Sequence, residues 1–256
     1  MVNIVGYTTI PLTGGAMDIK GAQFVNVGTE ALDIQSIVLN NAKAGDWLQL
    51  YTASSTSYKK AYNWKMHSYN WDDEEEENDL GPGWADGDAV RYSEYNDNAV
   101  KIDPGQSFWI FMAAQTGVEK SFTVSGQVLA PKTGYETIDM IAGKMDLVCT
   151  PFPCAADIQN VQLVNAKAGD WLQLYDATKT AYKKAYNWKM HSYNWDDEEE
   201  ENDLGPGWAD GDAVRYSEYN DNAVTIGVGQ GFWLFMAGDG KNTPQVKFVS
   251  PIPAAE

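Results

Sequence analysis

The sequence predicts an all-β protein built as two tandem homologous units, each a β-sandwich or barrel-like body, with a pseudo-twofold relation between them. Three observations predict it. An internal repeat runs through the 256 residues at a nearly constant offset. The recurring segments are short, alternating and rich in aromatic or β-branched residues, as strands are. Gly- and Asn-rich turns separate them, and windows with helical spacing of apolar residues are scarce. A single sandwich drawn from both halves is the alternative architecture.

The repeat defines the units as residues 1–128 and 129–256. Asp33-Ile34-Gln35 recurs as Asp157-Ile158-Gln159, and Asn41 to Tyr51 recurs unchanged as Asn165 to Tyr175. Upstream, Gly6-Tyr7-Thr8-Thr9-Ile10 matches Gly134-Tyr135-Glu136-Thr137-Ile138. Downstream, Gly105 to Trp109 matches Gly229 to Trp233. The join falls near Val128 to Gly134, where Pro and Gly suit a linker. Conservation between the copies is uneven. Residues 58–100 are identical to 182–224 over 43 positions, whereas residues 33–57 differ from 157–181 at 8 of 25. Either recent copying or a shared requirement accounts for the untouched middle.

Taken in order, the first expected strand is Asn3 to Ile10, which with the last, Gln245 to Pro251, is expected at a sheet edge. Phe24 to Val27 and Ser107 to Met112 are short and β-prone. In Trp47 to Tyr51, Leu48 and Leu50 alternate with Trp47, Gln49 and Tyr51. Ser57 to Trp64 carries the best helical spacing, Tyr-rich rather than Leu-rich, and leaves a short helix open there.

Composition narrows the function. The 44% hydrophobic and 12% aromatic content supports a folded core, and a net charge of -18 without a basic stripe excludes nucleic acid as a natural partner. No run approaches the roughly 20 apolar residues that span a bilayer, so no membrane insertion is expected. Met1 leads directly into a strand-like segment, so no signal peptide is expected at this end. Cys149 and Cys154 leave both a small disulfide loop and two thiols open.

The identical middle segment concentrates the chemistry. Each copy carries a formal charge of -7, and the two hold 6 of the 10 Trp and 10 of the 14 Tyr residues. Successive carboxylates repel by about 0.5–1 kcal/mol per neighbouring pair in water. A solvated charged loop is one outcome. The other is a hard cation, with Ca²⁺ as the candidate cofactor, because Ca²⁺ takes six to eight oxygen ligands. Candidate ligands are Asn78, Asp79, Asp86, Asp88 and Glu94, and in the second copy Asn202, Asp203, Asp210, Asp212 and Glu218. The Trp84 to Asp88 stretch reads as the turn at their centre. Candidate contact residues are Trp64, Trp71, Trp84, Tyr92 and Tyr95, and their copies Trp188, Trp195, Trp208, Tyr216 and Tyr219. Aromatic faces beside oxygen acceptors suit sugar rings and protein interfaces alike, while core packing is the competing use.

No nucleophile elbow, P-loop or dinucleotide fingerprint occurs, and His67 and His191 lack neighbours with zinc-ligand spacing. A non-enzymatic protein is therefore expected, paired carboxylates of a glycosidase being the remaining catalytic option.

Gly6 to Ile10, Ala44-Gly45-Asp46-Trp47, Ile102 and Gly105 to Trp109 together resemble uncharacterised secreted bacterial β-repeat proteins. That resemblance implies an extracellular or cell-surface setting and a non-enzymatic role, and assigns no functional residue. The functional expectation is a structural or surface-assembly subunit of filament type, associating with itself through duplicated acidic, aromatic surfaces. Its rival is a bivalent carbohydrate-binding module with glycans as partners.

Overall fold

In a computed structural model, residues 5–67, 81–86, 100–131, 133–191, 205–210 and 224–251 are described. The first copy supplies β1 (Val5–Leu12), β2 (Met17–Gly21), β3 (Leu32–Asp33), β4 (Ile37–Asn40), β5 (Trp47–Thr52), β6 (Ser57–Lys65), β7 (Gly83–Asp86), β8 (Lys101–Ile102), β9 (Ser107–Phe111) and β10 (Lys120–Gln127). The second supplies β11 (Tyr135–Asp139), β12 (Lys144–Cys149), β13 (Ala156–Asp157), β14 (Val161–Val164), β15 (Trp171–Asp176), β16 (Ala181–Lys189), β17 (Gly207–Asp210), β18 (Thr225–Ile226), β19 (Gly231–Met236) and β20 (Gln245–Val249).

Four sheets dominate: β1-β10-β4, β2-β9-β5-β6-β7, β11-β20-β14 and β12-β19-β15-β16-β17, with two short pairs, β3-β8 and β13-β18. They form the blades of an all-β four-bladed propeller with pseudo-fourfold symmetry. Alternation of three- and five-stranded blades makes the fourfold relation approximate. This architecture corrects the expected pair of tandem sandwich or barrel-like units with a pseudo-twofold relation. The reason is long-range pairing: β1 leaves its sequence neighbour β2 to join β10, and β2 joins β9, so each copy is divided between two sheets.

Motifs that recur in the sequence each have a structural task. Asp33 caps a short 3-10 turn by accepting from Gln35 N at 2.9 Å, which buries Ile34 and aims Gln35 at β7. Gln35 then pairs with both the N–H and the carbonyl of Trp84, at 2.9 and 2.8 Å. Asp157 and Gln159 repeat the arrangement with Trp208. Asp46 is buried and accepts from Lys43 N and Ala113 N, each at 2.8 Å, tying the turn before β5 to the end of β9. Asp170 does the same with Lys167 and Ala237. A buried carboxylate with several N–H donors is stabilised where an unpaired one would be costly.

The copies are knitted into one body. Gly21 N donates to Gly229 O at 3.0 Å and Cys149 N to Gly105 O at 2.8 Å. Gln23 accepts from Gly229 N and donates to Thr150 Oγ1. Gly229 has a φ of +64°, and a Cβ there would collide with Ile10; Gly105, at +77°, stands in the same relation to Ile138. Glycine is required at both places by backbone conformation and by contact.

Several local expectations are corrected. Ser57 to Trp64 forms strand β6, not a helix, because its ladder partners β5 and β7 reward an extended backbone. Phe24 to Val27 makes only an isolated bridge at Val25. Trp84 to Asp86 belongs to strand β7 rather than to a turn. The last strand, β20, lies between β11 and β14 and is no sheet edge, whereas β1 is one.

Candidate functional site

The five-stranded blades have two apolar faces, and alternation decides which residue goes where. Leu48, Leu50, Phe108 and Ile110 point into a cluster with the neighbouring three-stranded blade of the same copy. Tyr51 and Trp109 point the other way and meet Tyr175 and Trp233 of the second copy in a third cluster. Within this seam Tyr51 and Trp233 lie edge to face at 4.9 Å, and Trp109 and Tyr175 at 5.0 Å. Edge-to-face pairs of this kind contribute about 0.5–1.5 kcal/mol each beyond area burial.

At the surface the seam opens into an aromatic groove of about 440 Å³. Met17, Trp47, Gln49, Tyr58 and Trp109 line it from the first copy, and Tyr175, Thr180 and Tyr182 from the second. Trp171, Tyr182 and Trp233, with Tyr51 and Tyr58, are the matching set when the copies are interchanged. Trp47 stacks on Phe111 at 5.9 Å and Trp171 on Phe235 at 5.8 Å, which fixes both indoles. Trp109 Nε1 donates to Tyr58 Oη at 3.2 Å, and Trp233 Nε1 to Tyr182 Oη at 3.1 Å. Tyr58 is 46% and Tyr182 47% exposed; each ring is anchored at its hydroxyl, meets Tyr51 or Tyr175 edge to face at 5.3 and 5.2 Å, and is otherwise partly open to solvent. Partial burial raises the Tyr58 phenol above its usual range, leaving it a neutral donor and acceptor at physiological pH. Gln49 Nε2 is engaged with Lys59 O, which holds the amide at the groove wall.

The expected contact residues fall elsewhere. Trp64, Trp84, Trp188 and Trp208 are buried in the two copy cores, where each pair meets edge to face at 5.2 Å. Trp84 Nε1 donates to Ile37 O at 2.7 Å and Trp208 Nε1 to Val161 O at 2.5 Å. Their payload is apolar area and their one polar atom is satisfied, so these four are structural. Trp71, Tyr92, Tyr95, Trp195, Tyr216 and Tyr219 lie outside the described residues. So do Asn78, Asp79, Asp88, Glu94, Asn202, Asp203, Asp212 and Glu218, while Asp86 and Asp210 end strands β7 and β17. Among the described residues no cluster of three or more His, Cys, Asp or Glu side chains is placed to hold a metal. Cys149 and Cys154 are free thiols, and complete burial pushes the Cys149 thiol up to about 12.

Sequence reading missed the groove because Trp47, Tyr58 and Trp109 were absorbed into strands. The available signal was the alternation itself, which places Trp47, Gln49 and Tyr51 on the face opposite Leu48 and Leu50.

Comparisons with protein-family models, curated proteins and solved structures give no match. The resemblance to secreted β-repeat proteins is thereby corrected, since its implied tandem architecture differs from the propeller. The filament-type subunit is corrected as well. The copies turn their aromatic faces toward each other, the buried tryptophans offer no contact surface, and β20 is not available to recruit a strand.

Proposed function

We propose that the protein is a non-enzymatic carbohydrate-binding module whose two copies jointly line one aromatic groove. The observation that carries this reading is the pair of exposed, hydroxyl-anchored rings Tyr58 and Tyr182 beside Trp47 and Trp109 in a groove of about 440 Å³. Sugar rings stack their C–H faces on such platforms while their hydroxyls take hydrogen bonds from neighbouring polar groups, here Gln49, Thr180 and the tyrosine hydroxyls. Groove size is within the range of small-molecule sites. An extracellular setting and a supporting Ca²⁺ in the acidic segment belong to the same proposal. What supports the ion is the density of oxygen donors in residues 72–79 and their copy.

A glycan array followed by calorimetric titration tests the reading. Saturable binding is expected, with affinity at least tenfold lower in Tyr58→Ala/Tyr182→Ala than in the parent, at an unchanged fold. Absence of binding across the array, or binding indifferent to that double substitution, would overturn it.

A further inference from the structure

A second cleft, of about 410 Å³, shares the lining residue Tyr175 with the aromatic groove. Its polar walls are Asp18 and Lys20 of β2, Asp176 at the end of β15, Thr178 just after it, and Lys183 of β16. Ile10, Leu12 and Val228 supply the apolar part.

Those polar groups are held in place before any ligand arrives. Asp18 Oδ2 lies 2.9 Å from Lys20 Nζ, and Asp18 Oδ1 accepts from Ile19 N at 2.8 Å. Asp176 accepts from Thr178 Oγ1 at 2.6 Å and from Lys179 N at 3.3 Å, which fixes the turn. The wall opposite is the Gly227 to Gln230 turn, pressed against Ile10 through Gly229 and clamped by Gln23. Each carboxylate is already in an ion pair, Asp18 with Lys20 at 2.9 Å and Asp176 with Lys179 at 3.7 Å, so neither stands as a bare charge to select a cation. The cleft offers acceptors and donors at close spacing, the pattern that adjacent sugar hydroxyls satisfy through charge-assisted hydrogen bonds.

The cleft is also one-sided. At the matching places of the other copy Lys20 becomes Val148, Asp176 becomes Thr52, Thr178 becomes Ser54 and Val228 becomes Pro104. The aromatic groove is nearly symmetric; the polar cleft is not.

We propose that this cleft is a subsite for the terminal ring of a neutral glycan lying along the aromatic groove, so that the chain binds one glycan in one direction. This rests on the carbohydrate reading above and adds polarity and stoichiometry to it. Calorimetry with cellohexaose, xylohexaose and mannohexaose tests it on the full chain. Thr178→Ala/Lys183→Ala removes two exposed groups of the cleft, and Ser54→Ala/Lys59→Ala removes their counterparts. Expected are one glycan per chain, at least tenfold weaker binding in the first variant, and a change under twofold in the second. Equal losses in both variants, no loss in either, or two equivalent sites per chain would overturn the subsite while leaving the groove intact. If none of the three hexasaccharides binds the parent chain, the subsite falls; if no glycan of any class binds, the groove falls with it.

Discussion

Asp146 should make the stability of this protein depend on pH in a way that one substitution removes. Its repeat counterpart, Asp18, is neutralised by Lys20, but the residue at the lysine's place in the second copy is Val148. Among the described residues Asp146 keeps the Leu147 N–H as its one hydrogen bond, at 2.8 Å, and desolvation pushes its carboxyl from 3.8 up to about 6. The folded protein therefore retains a proton on Asp146 that the unfolded chain releases near its ordinary value. Stability linked to this group is fully present below 3.8 and is lost as pH rises through about 6. The gap corresponds to about 3 kcal/mol as an upper limit, at 1.36 kcal/mol per pH unit. Asp146→Asn keeps an oxygen for the Leu147 N–H and carries no charge. Urea unfolding from pH 4 to pH 8 should show the variant equal to the parent at the acid end and more stable by up to about 3 kcal/mol at the alkaline end. A stability difference that does not vary with pH would refute the reasoning.

Other consequences are expected. Trp84→Ala should cost about 3–5 kcal/mol in chemical denaturation, because it empties a fully buried site and strips Ile37 O of its donor. Gly229→Ala should destabilise the chain through both the positive φ and the collision with Ile10, and its cost should be smaller when it is introduced into an Ile10→Ala background than into the parent. Under native conditions a thiol reagent should modify the half-buried Cys154 slowly and Cys149 only after denaturant is added, since burial raises both thiols and seals Cys149 completely. Equal native reactivity of both thiols would contradict the buried seat of Cys149.

Much of the local structure was legible. The alternation of Trp47 to Tyr51 predicted strand β5 and both its faces, and the recurrence of Asp33-Ile34-Gln35 and of Asp46 marked residues whose hydrogen bonds hold turns. The sheet arrangement was not legible, because strand partners such as Ile10 and Phe122 are distant in sequence and the repeat appears twice while the main sheets number four. Trp64 and Trp84 were open in the sequence to two uses, contact surface or core, because an aromatic-rich acidic segment suits either, and the structure gives them the core. In the fold the tryptophans sit on the inner face of β6 and β7. Ser57 to Trp64 illustrates the same limit: spacing favoured a helix, and two neighbouring strands outweighed it. The groove needed Tyr58 and Tyr182, 124 positions apart, to meet, which no local pattern reveals.

The central claim is that sugars are held in the seam between the copies. A crystal structure with a glycan that binds in solution tests it most directly. The account predicts sugar rings stacked on Tyr58 and Trp47, with the chain end beside Asp18 and Thr178. Rings bound anywhere else on the molecule, with the groove holding only solvent, would contradict it.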